Sequence, residues 1–262
     1  MQAVDLGDVT LHVADEGPRN GPVVVFSNSL GTDFRLWNAV LPLLPTGLRL
    51  VRYDKRGHGL SDLPEGDWGM ADHVSDLTRL ADHLSLRNIV ICGLSVGGII
   101  AQGAAAERPD LVRAIVLCDT GAKIGHPDLW NDRIAAVEAG GIASISDQIL
   151  ERWFTPEFRA STDFAIWRNM LCRTTAGGYI GTSKAIRDTD LVESTARLRL
   201  PCLGIGGDQD GSTPPDLVRE TTALIPNSRF ELIRDAGHLP CVEQPEVFAN
   251  HLSGFLAEIG HV

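Results

Sequence analysis

The chain has 262 residues, 44% of them hydrophobic and 22% charged, a balance that suits a globular enzyme with a sizeable core. A formal net charge of −11 argues against nucleic acid and anionic membrane surfaces as partners. No apolar run approaches the length of a membrane span, and the first residues carry neither the basic nor the apolar region of a secretory signal, which points to a cytoplasmic protein.

Strand candidates fall at 10–15, 22–27, 48–54, 88–93, 113–119, 201–206 and 229–235. From position 22 onward they are continuous Val/Ile/Leu runs, the mark of strands buried on both faces of a parallel sheet. Helix-length segments lie between them at 68–84, 96–107, 215–223 and 245–259. This alternation predicts an α/β architecture, a mostly parallel sheet flanked by helices. The rhythm breaks after Asp119-Thr120-Gly121. Some seventy residues follow without a convincing strand, and their pattern predicts helices at 127–139, 142–154, 156–171 and 182–191. The expected organisation is therefore a core of 1–121 and 191–262 with an inserted all-helical cap at 122–190. An insertion at that edge of a parallel sheet would roof the ligand site.

Cys92, Cys118, Cys172, Cys202 and Cys241 show no paired spacing and read as free, mostly buried thiols. The eight histidines are scattered without ligand spacing, so no metal is expected.

Gly93-Leu94-Ser95-Val96-Gly97 is a Gly-x-Ser-x-Gly pattern whose context gives it weight. A strand leads directly into Ser95, and a helix of small residues follows. Such a turn strains the serine backbone, and glycines on either side remove the Cβ atoms that would clash. The helix start also directs free N–H groups and its positive dipole end at developing negative charge. Ser95 is thus the candidate nucleophile.

A serine hydroxyl needs a general base, and His238 in Asp235-Ala-Gly-His-Leu-Pro follows the last strand at the carboxyl edge that also carries Ser95. His58 in Arg56-Gly-His-Gly reads as a turn element at the rim. His12, His73, His83, His251 and His261 read as surface residues. The orienting acid is expected in the loop after the strand 201–206, where Asp210 is the choice, Asp208 reads as a turn cap, and Asp119 is an outside candidate. Backbone N–H groups of Val96 and Leu30 are the candidate oxyanion donors. The order Ser95, Asp210, His238 is that of the α/β-hydrolase fold.

With these residues placed, the chain resembles the 3-oxoadipate enol-lactonases over nearly its whole length. The resemblance lies in Ser27-Asn-Ser-Leu-Gly-Thr-Asp33, Arg52-Tyr-Asp-Lys-Arg-Gly-His-Gly-Leu-Ser-Asp62 and Cys92-Gly-Leu-Ser-Val-Gly-Gly98. In the insertion it lies in Trp130-Asn-Asp-Arg-Ile-Ala-Ala-Val-Glu-Ala-Gly-Gly141, Glu151-Arg-Trp-Phe-Thr-Pro156 and Ala185-Ile-Arg-Asp-Thr-Asp190. The elbow, the Arg-Gly-His-Gly turn and Ala-Gly-His-Leu-Pro occur in many relatives, whereas the insertion motifs are more particular. The segment Ser27-Asn-Ser-Leu-Gly departs from the His-Gly pair of many relatives without disturbing the N–H donor.

The resemblance implies cofactor-free opening of 3-oxoadipate enol-lactone to 3-oxoadipate, in aromatic-compound breakdown. Such a substrate carries a carboxylate. Segment 122–190 holds eight Lys/Arg against nine Asp/Glu, whereas the remainder holds fifteen against twenty-five. A near-neutral, arginine-containing cap on an acidic body suits an anionic ligand. Arg133, three residues after Trp130 on one helix, is the candidate for the carboxylate, with Trp130 lining the pocket. Trp153 is a second wall candidate, with core packing the better reading for it. Other readings are a C–C bond hydrolase, a general carboxylesterase, or a small-molecule receptor with slow turnover.

Overall fold

The computed structural model describes all 262 residues. Its single sheet holds β1 (Gln2–Asp5), β2 (Thr10–Glu16), β3 (Val23–Ser27), β4 (Arg49–Tyr53), β5 (Ile89–Leu94), β6 (Val112–Cys118), β7 (Cys202–Gly207) and β8 (Arg229–Ile233). The order is β1-β2-β4-β3-β5-β6-β7-β8. The β1–β2 and β2–β4 pairs are antiparallel and every other pair is parallel. Every residue of β3, β5 and β7 is buried, which is why those strands read as unbroken apolar runs. No helix is long and apolar enough to cross a membrane.

The chain runs from β3 outward to β4, then crosses back to place β5 on the other side of β3. This reversal opens a crevice at the carboxyl ends of β3 and β5, where open α/β sheets hold their ligands. The register pairs Ser27 with Gly93, so the loop after β3 and the turn after β5 leave the sheet side by side. Helices α1 (Met70–His83) and α2 (Val96–Glu107) pack together, and α2 lies on β3, β5 and β6. Ten of the twelve α2 residues are buried, and its glycines and alanines permit that close seat.

Six α-helices separate β6 from β7: α3 (Pro127–Gly140), α4 (Ser146–Trp153), α5 (Pro156–Arg159), α6 (Phe164–Cys172), α7 (Ala176–Arg187) and α8 (Val192–Ala196). After β7 come α9 (Pro215–Ala223), β8, α10 (Pro240–Glu243) and α11 (Pro245–Glu258).

Several expectations need correction. The 142–154 helix is a 3-10 turn at Ile142–Ser144 followed by α4. The 156–171 helix is broken into α5 and α6, because Ser161-Thr162-Asp163 favours backbone turns over helix interior. The 182–191 helix begins earlier, at Ala176, where the Thr175 side chain caps the Gly178 N–H. Gly177 and Gly178 obscure that start in the sequence. Strand β1 escapes a local reading because it is short, antiparallel and mostly exposed.

Three histidines expected at the surface are not there. His73 is buried with Nε2 3.3 Å from Thr182 Oγ1, and His261 is buried with Nε2 3.1 Å from the Val23 carbonyl. His12 is half-buried, its Nδ1 2.7 Å from Asp54 Oδ2. Each is covered by an element distant in sequence, which local pattern does not reveal. His58 is buried in its turn, with Nδ1 3.2 Å from the Arg56 carbonyl.

That turn also seats α7. The Gly57 carbonyl accepts the Thr175 hydroxyl at 3.2 Å, and a Cβ on Gly178 would stand 1.9 Å from the same oxygen. Gly178→Ala should gain about 1 kcal/mol of helix propensity yet lose more to the backbone clash. We expect a net destabilisation of about 1–3 kcal/mol, read as a lowered urea midpoint at unchanged slope; an unchanged or raised midpoint would contradict this packing.

Candidate active site

Ser95 sits between β5 and α2 with φ 58° and ψ −118°, a conformation that costs about 1–3 kcal/mol for a residue bearing a side chain. The neighbours hold it there. Its N–H donates to the Cys118 carbonyl at 2.9 Å, and its carbonyl accepts the Thr120 hydroxyl at 2.6 Å. A Cβ at Gly93 would stand 2.2 Å from the Gly97 carbonyl, and one at Gly97 would stand 2.1 Å from that of Ser27. Glycine is required at both positions by contact with backbone that cannot yield.

Asp210 and His238 meet across the β7 and β8 loops. His238 Nδ1 lies 2.8 Å from Asp210 Oδ2, and both residues are buried. The same oxygen accepts the Thr213 hydroxyl at 2.7 Å, while Oδ1 accepts the Ser212 and Thr213 N–H groups at 2.7 and 3.1 Å. With the carboxylate opposite Nδ1, that nitrogen carries the proton and Nε2 is left as a free acceptor. Asp208 accepts the Ala236 N–H at 3.3 Å and caps the loop. Asp119 is also close, a carboxylate oxygen lying within 4.8 Å of one from Asp210 and of a His238 ring nitrogen. It bonds Gly207 N–H at 2.8 Å and makes no hydrogen bond to His238. Burial, and then the charge of Asp210, push the Asp119 carboxyl well above the usual range. This cluster has the residue types of a cation site, but most of its ligand atoms are already engaged with one another and with N–H donors.

Ser95 and His238 open onto one cavity of about 60 Å³. Leu30 also lines it, and the Leu30 N–H makes no hydrogen bond within the protein. Val96 is the first residue of α2, so its N–H has no partner within that helix. The opposite wall comes from the inserted helices. Trp130 is buried and fixed by an Nε1–H bond of 2.7 Å to the Ile124 carbonyl, and the Arg133 guanidinium lies 4.8 Å above its ring. Burial raises the Tyr179 phenol above its ordinary value, opposed by nearby Arg133.

Arg152 and Ser29 are among the residues at the cavity that the sequence did not single out for it. Arg152 lines it beside Arg133, and neither arginine is ion-paired with a carboxylate. Its presence in Glu151-Arg-Trp-Phe-Thr-Pro156 was the available signal. The Ser29 hydroxyl lines it as well, buried without a partner. Trp153, a second wall candidate for which core packing was the preferred reading, does wall the cavity, its ring centroid 6.3 Å from that of the His238 imidazole at 27°.

The α4 helix ties this wall to the acid and base. Its Arg152 carbonyl accepts Gly211 N–H at 3.1 Å, and its Trp153 carbonyl accepts His238 N–H at 2.8 Å. Glu243 adds a second tie, accepting Gly237 N–H at 2.7 Å and the Thr155 hydroxyl at 2.6 Å.

Residues 22–245 match the family model for the alpha/beta hydrolase fold. The chain belongs to the α/β-hydrolase family. It is 35% identical over 252 residues to 3-oxoadipate enol-lactonase 1 of Acinetobacter baylyi, covering 95% of this chain and 94% of that protein. It is 32% identical to 3-oxoadipate enol-lactonase 2 of the same organism, covering 93% and 91%. The crystal structure of the enol-lactonase from Burkholderia xenovorans LB400 superposes with a TM-score of 0.94 at 32% identity, covering 98% of this chain and all of that one.

The two acids beside the imidazole make a spectroscopic prediction. Proton NMR should show a far-downfield, exchange-protected His238 Nδ1–H resonance. Asp119→Asn should retain that resonance and Asp210→Ala should abolish it; the opposite pattern would reassign the partner.

Proposed function

We propose that the protein is a serine hydrolase that opens 3-oxoadipate enol-lactone to 3-oxoadipate, with residues 122–190 as the cap that selects the substrate. The observation that carries this reading is the shared cavity. Ser95, His238 and Leu30, whose N–H is free, line it together with Arg133 and Arg152, neither of which is paired with a carboxylate. The two enol-lactonase relatives, aligned over nearly the whole chain, support the choice of a lactone among hydrolase substrates.

Ser95 Oγ attacks the lactone carbonyl carbon as its proton passes to His238 Nε2. Asp210 holds the imidazole through Nδ1–H and stabilises the imidazolium. The carbonyl oxygen, now an anion, takes hydrogen bonds from the Leu30 and Val96 N–H groups. Collapse breaks the ring C–O bond and yields an ester at Ser95 with an enolate tethered to the acyl chain. The His238 imidazolium gives up the proton it took from Ser95, the enolate gains one at carbon to become the ketone, and His238 is left neutral for the second half of the reaction. The low basicity of an enolate leaving group reduces the demand for strong acid assistance. Water, deprotonated by His238, attacks the acyl carbon and releases the second carboxylate with Ser95 restored. Arg133 holds the carboxylate that the substrate already carries, Trp130 fixes the guanidinium plane, and the Ser29 hydroxyl is free to bond a ligand oxygen.

Loss of freshly generated enol-lactone, followed by its ultraviolet absorbance, tests the reading. Ser95→Ala should abolish turnover above background, and Asp210→Asn should lower kcat by about 10⁴-fold. Asp119→Asn should stay within about threefold of the wild type, since Asp119 makes no hydrogen bond to His238 and the amide oxygen can still accept the Gly207 N–H. A folded protein that leaves the enol-lactone intact but cleaves p-nitrophenyl esters rapidly would favour a carboxylesterase. Arg133→Ala should raise KM for the anionic lactone by about tenfold or more, as loss of a charge-assisted hydrogen bond implies. Equal changes with an uncharged phenyl ester would remove Arg133 from carboxylate binding.

A further inference from the structure

The Leu30 N–H belongs to the same peptide group as the Ser29 carbonyl, and three donors converge on that carbonyl. Lys55 Nζ donates at 2.6 Å, the Thr32 hydroxyl at 2.9 Å and the Thr32 N–H at 3.3 Å. Lys55 follows β4 at the start of the Arg-Gly-His-Gly turn and is 1% exposed. It forms no ion pair with a carboxylate. Burying an ammonium costs several kcal/mol, and a neutral amide could make a comparable hydrogen bond without that cost. The catalytic steps above leave this lysine unused.

We propose that Lys55 is a positioning residue that fixes and polarises the Ser29–Leu30 peptide, so that the Leu30 N–H becomes a stronger donor to the oxyanion. A cation at the carbonyl oxygen draws electron density through the amide and makes its N–H more acidic, the cooperative strengthening seen in hydrogen-bond chains. The effect is largest when the acceptor carries a full negative charge, so it acts on the tetrahedral intermediate more than on bound substrate. The inference rests on Leu30 being an oxyanion donor. It does not depend on which ester or lactone is cleaved.

The surroundings set when the charge is present. Burial pushes the Lys55 ammonium down to about 7, opposed by Asp54 on its own turn and Asp33 after β3. His58 in the turn and His73 on α1 are both held below the usual histidine range, chiefly by burial and secondarily by the Lys55 charge. They stay neutral through the neutral range, so neither of them supplies a change of charge there. The ammonium is present below about pH 7 and is lost as the pH rises through that value.

The test compares wild type, Lys55→Gln and Lys55→Arg on p-nitrophenyl acetate between about pH 6 and 9, with folding checked by circular dichroism. Affinity for a boronic acid, which forms a tetrahedral adduct with the serine, is measured beside affinity for adipate, a ground-state ligand. Lys55→Gln should lower kcat and boronate affinity by about tenfold at pH 6, a fraction of the loss on removing a whole oxyanion donor, while KM and adipate affinity stay within twofold. That deficit should shrink above about pH 7 as the wild type loses its charge. Lys55→Arg keeps a permanent charge, so its kcat should not share the fall. A folded Lys55→Gln with undiminished kcat would overturn the proposal, as would a deficit independent of pH or an equal loss of boronate and adipate affinity. Should Lys55→Gln not fold, Lys55→Arg decides: a fall in its kcat parallel to that of the wild type overturns the proposal. Failure of Ser95→Ala to abolish ester cleavage would instead reject the active-site reading.

Discussion

The strained backbone at Ser95 is the constraint around which the site is arranged. A side chain held at φ 58° needs neighbours that offset about 1–3 kcal/mol of strain, and they come from the two strands that flank β5. β6 supplies the Cys118 carbonyl and the loop beyond it the Thr120 hydroxyl. β3 supplies the Ser27 carbonyl, against which Gly97 presses so closely that only a hydrogen fits. This approach has a consequence beyond the serine. It brings the start of α2 against the end of β3, so the Val96 N–H and the Leu30 loop are placed by the same contact that permits the turn. The proposed nucleophile and oxyanion donors are therefore one packing solution.

The acid and base are placed by a different device. A helix leaves its last carbonyls without intrahelical partners, and they must bond elsewhere. In α4 two of these, Arg152 and Trp153, are taken by N–H groups of Gly211 and His238, in the loops that carry Asp210 and the imidazole. Gly237 lacks a Cβ for the same reason, since one would stand 2.4 Å from the Trp153 carbonyl. The roof of the cavity is thus bonded to the groups that would transfer protons. A shift of α4 would disturb the His238 loop as well as the ligand wall, so selectivity and proton transfer share one support.

How much of this the sequence disclosed follows from how local each signal is. The buried parallel strands, the sharp strand–helix turn and the loops holding Asp210 and His238 were legible, because strand periodicity and order along the chain place residues on a common sheet edge. Inside the insertion, boundaries were poor. Gly177 and Gly178 hid the start of α7, since their role depends on the approach of Gly57, more than a hundred residues away in sequence. Lys55 and Ser29 were visible within quoted motifs, yet their burial beside the oxyanion loop is a tertiary fact. Trp153 was read as core first and cavity wall second, and it is buried with its ring nearly parallel to that of His238. A buried aromatic beside a cavity serves both ends, and sequence cannot separate them.

Charge completes the arrangement. The buried arginines of the core are all satisfied by carboxylates: Arg49 by Asp15, Arg52 by Glu16 and Arg56 by Asp76. On a chain of net charge −11, carboxylates to pair with are plentiful, so a cation left without one at a cavity wall is informative. Arg133 is held instead by the face of Trp130, at 4.8 Å. Stacking against a ring orients a guanidinium without occupying its N–H edge, so the donors that match a carboxylate remain free. A salt bridge at that position would have fixed the side chain equally well while cancelling the charge. The tryptophan is thus the support that keeps the arginine both ordered and available to an anion, inside a cavity whose surroundings would otherwise repel one.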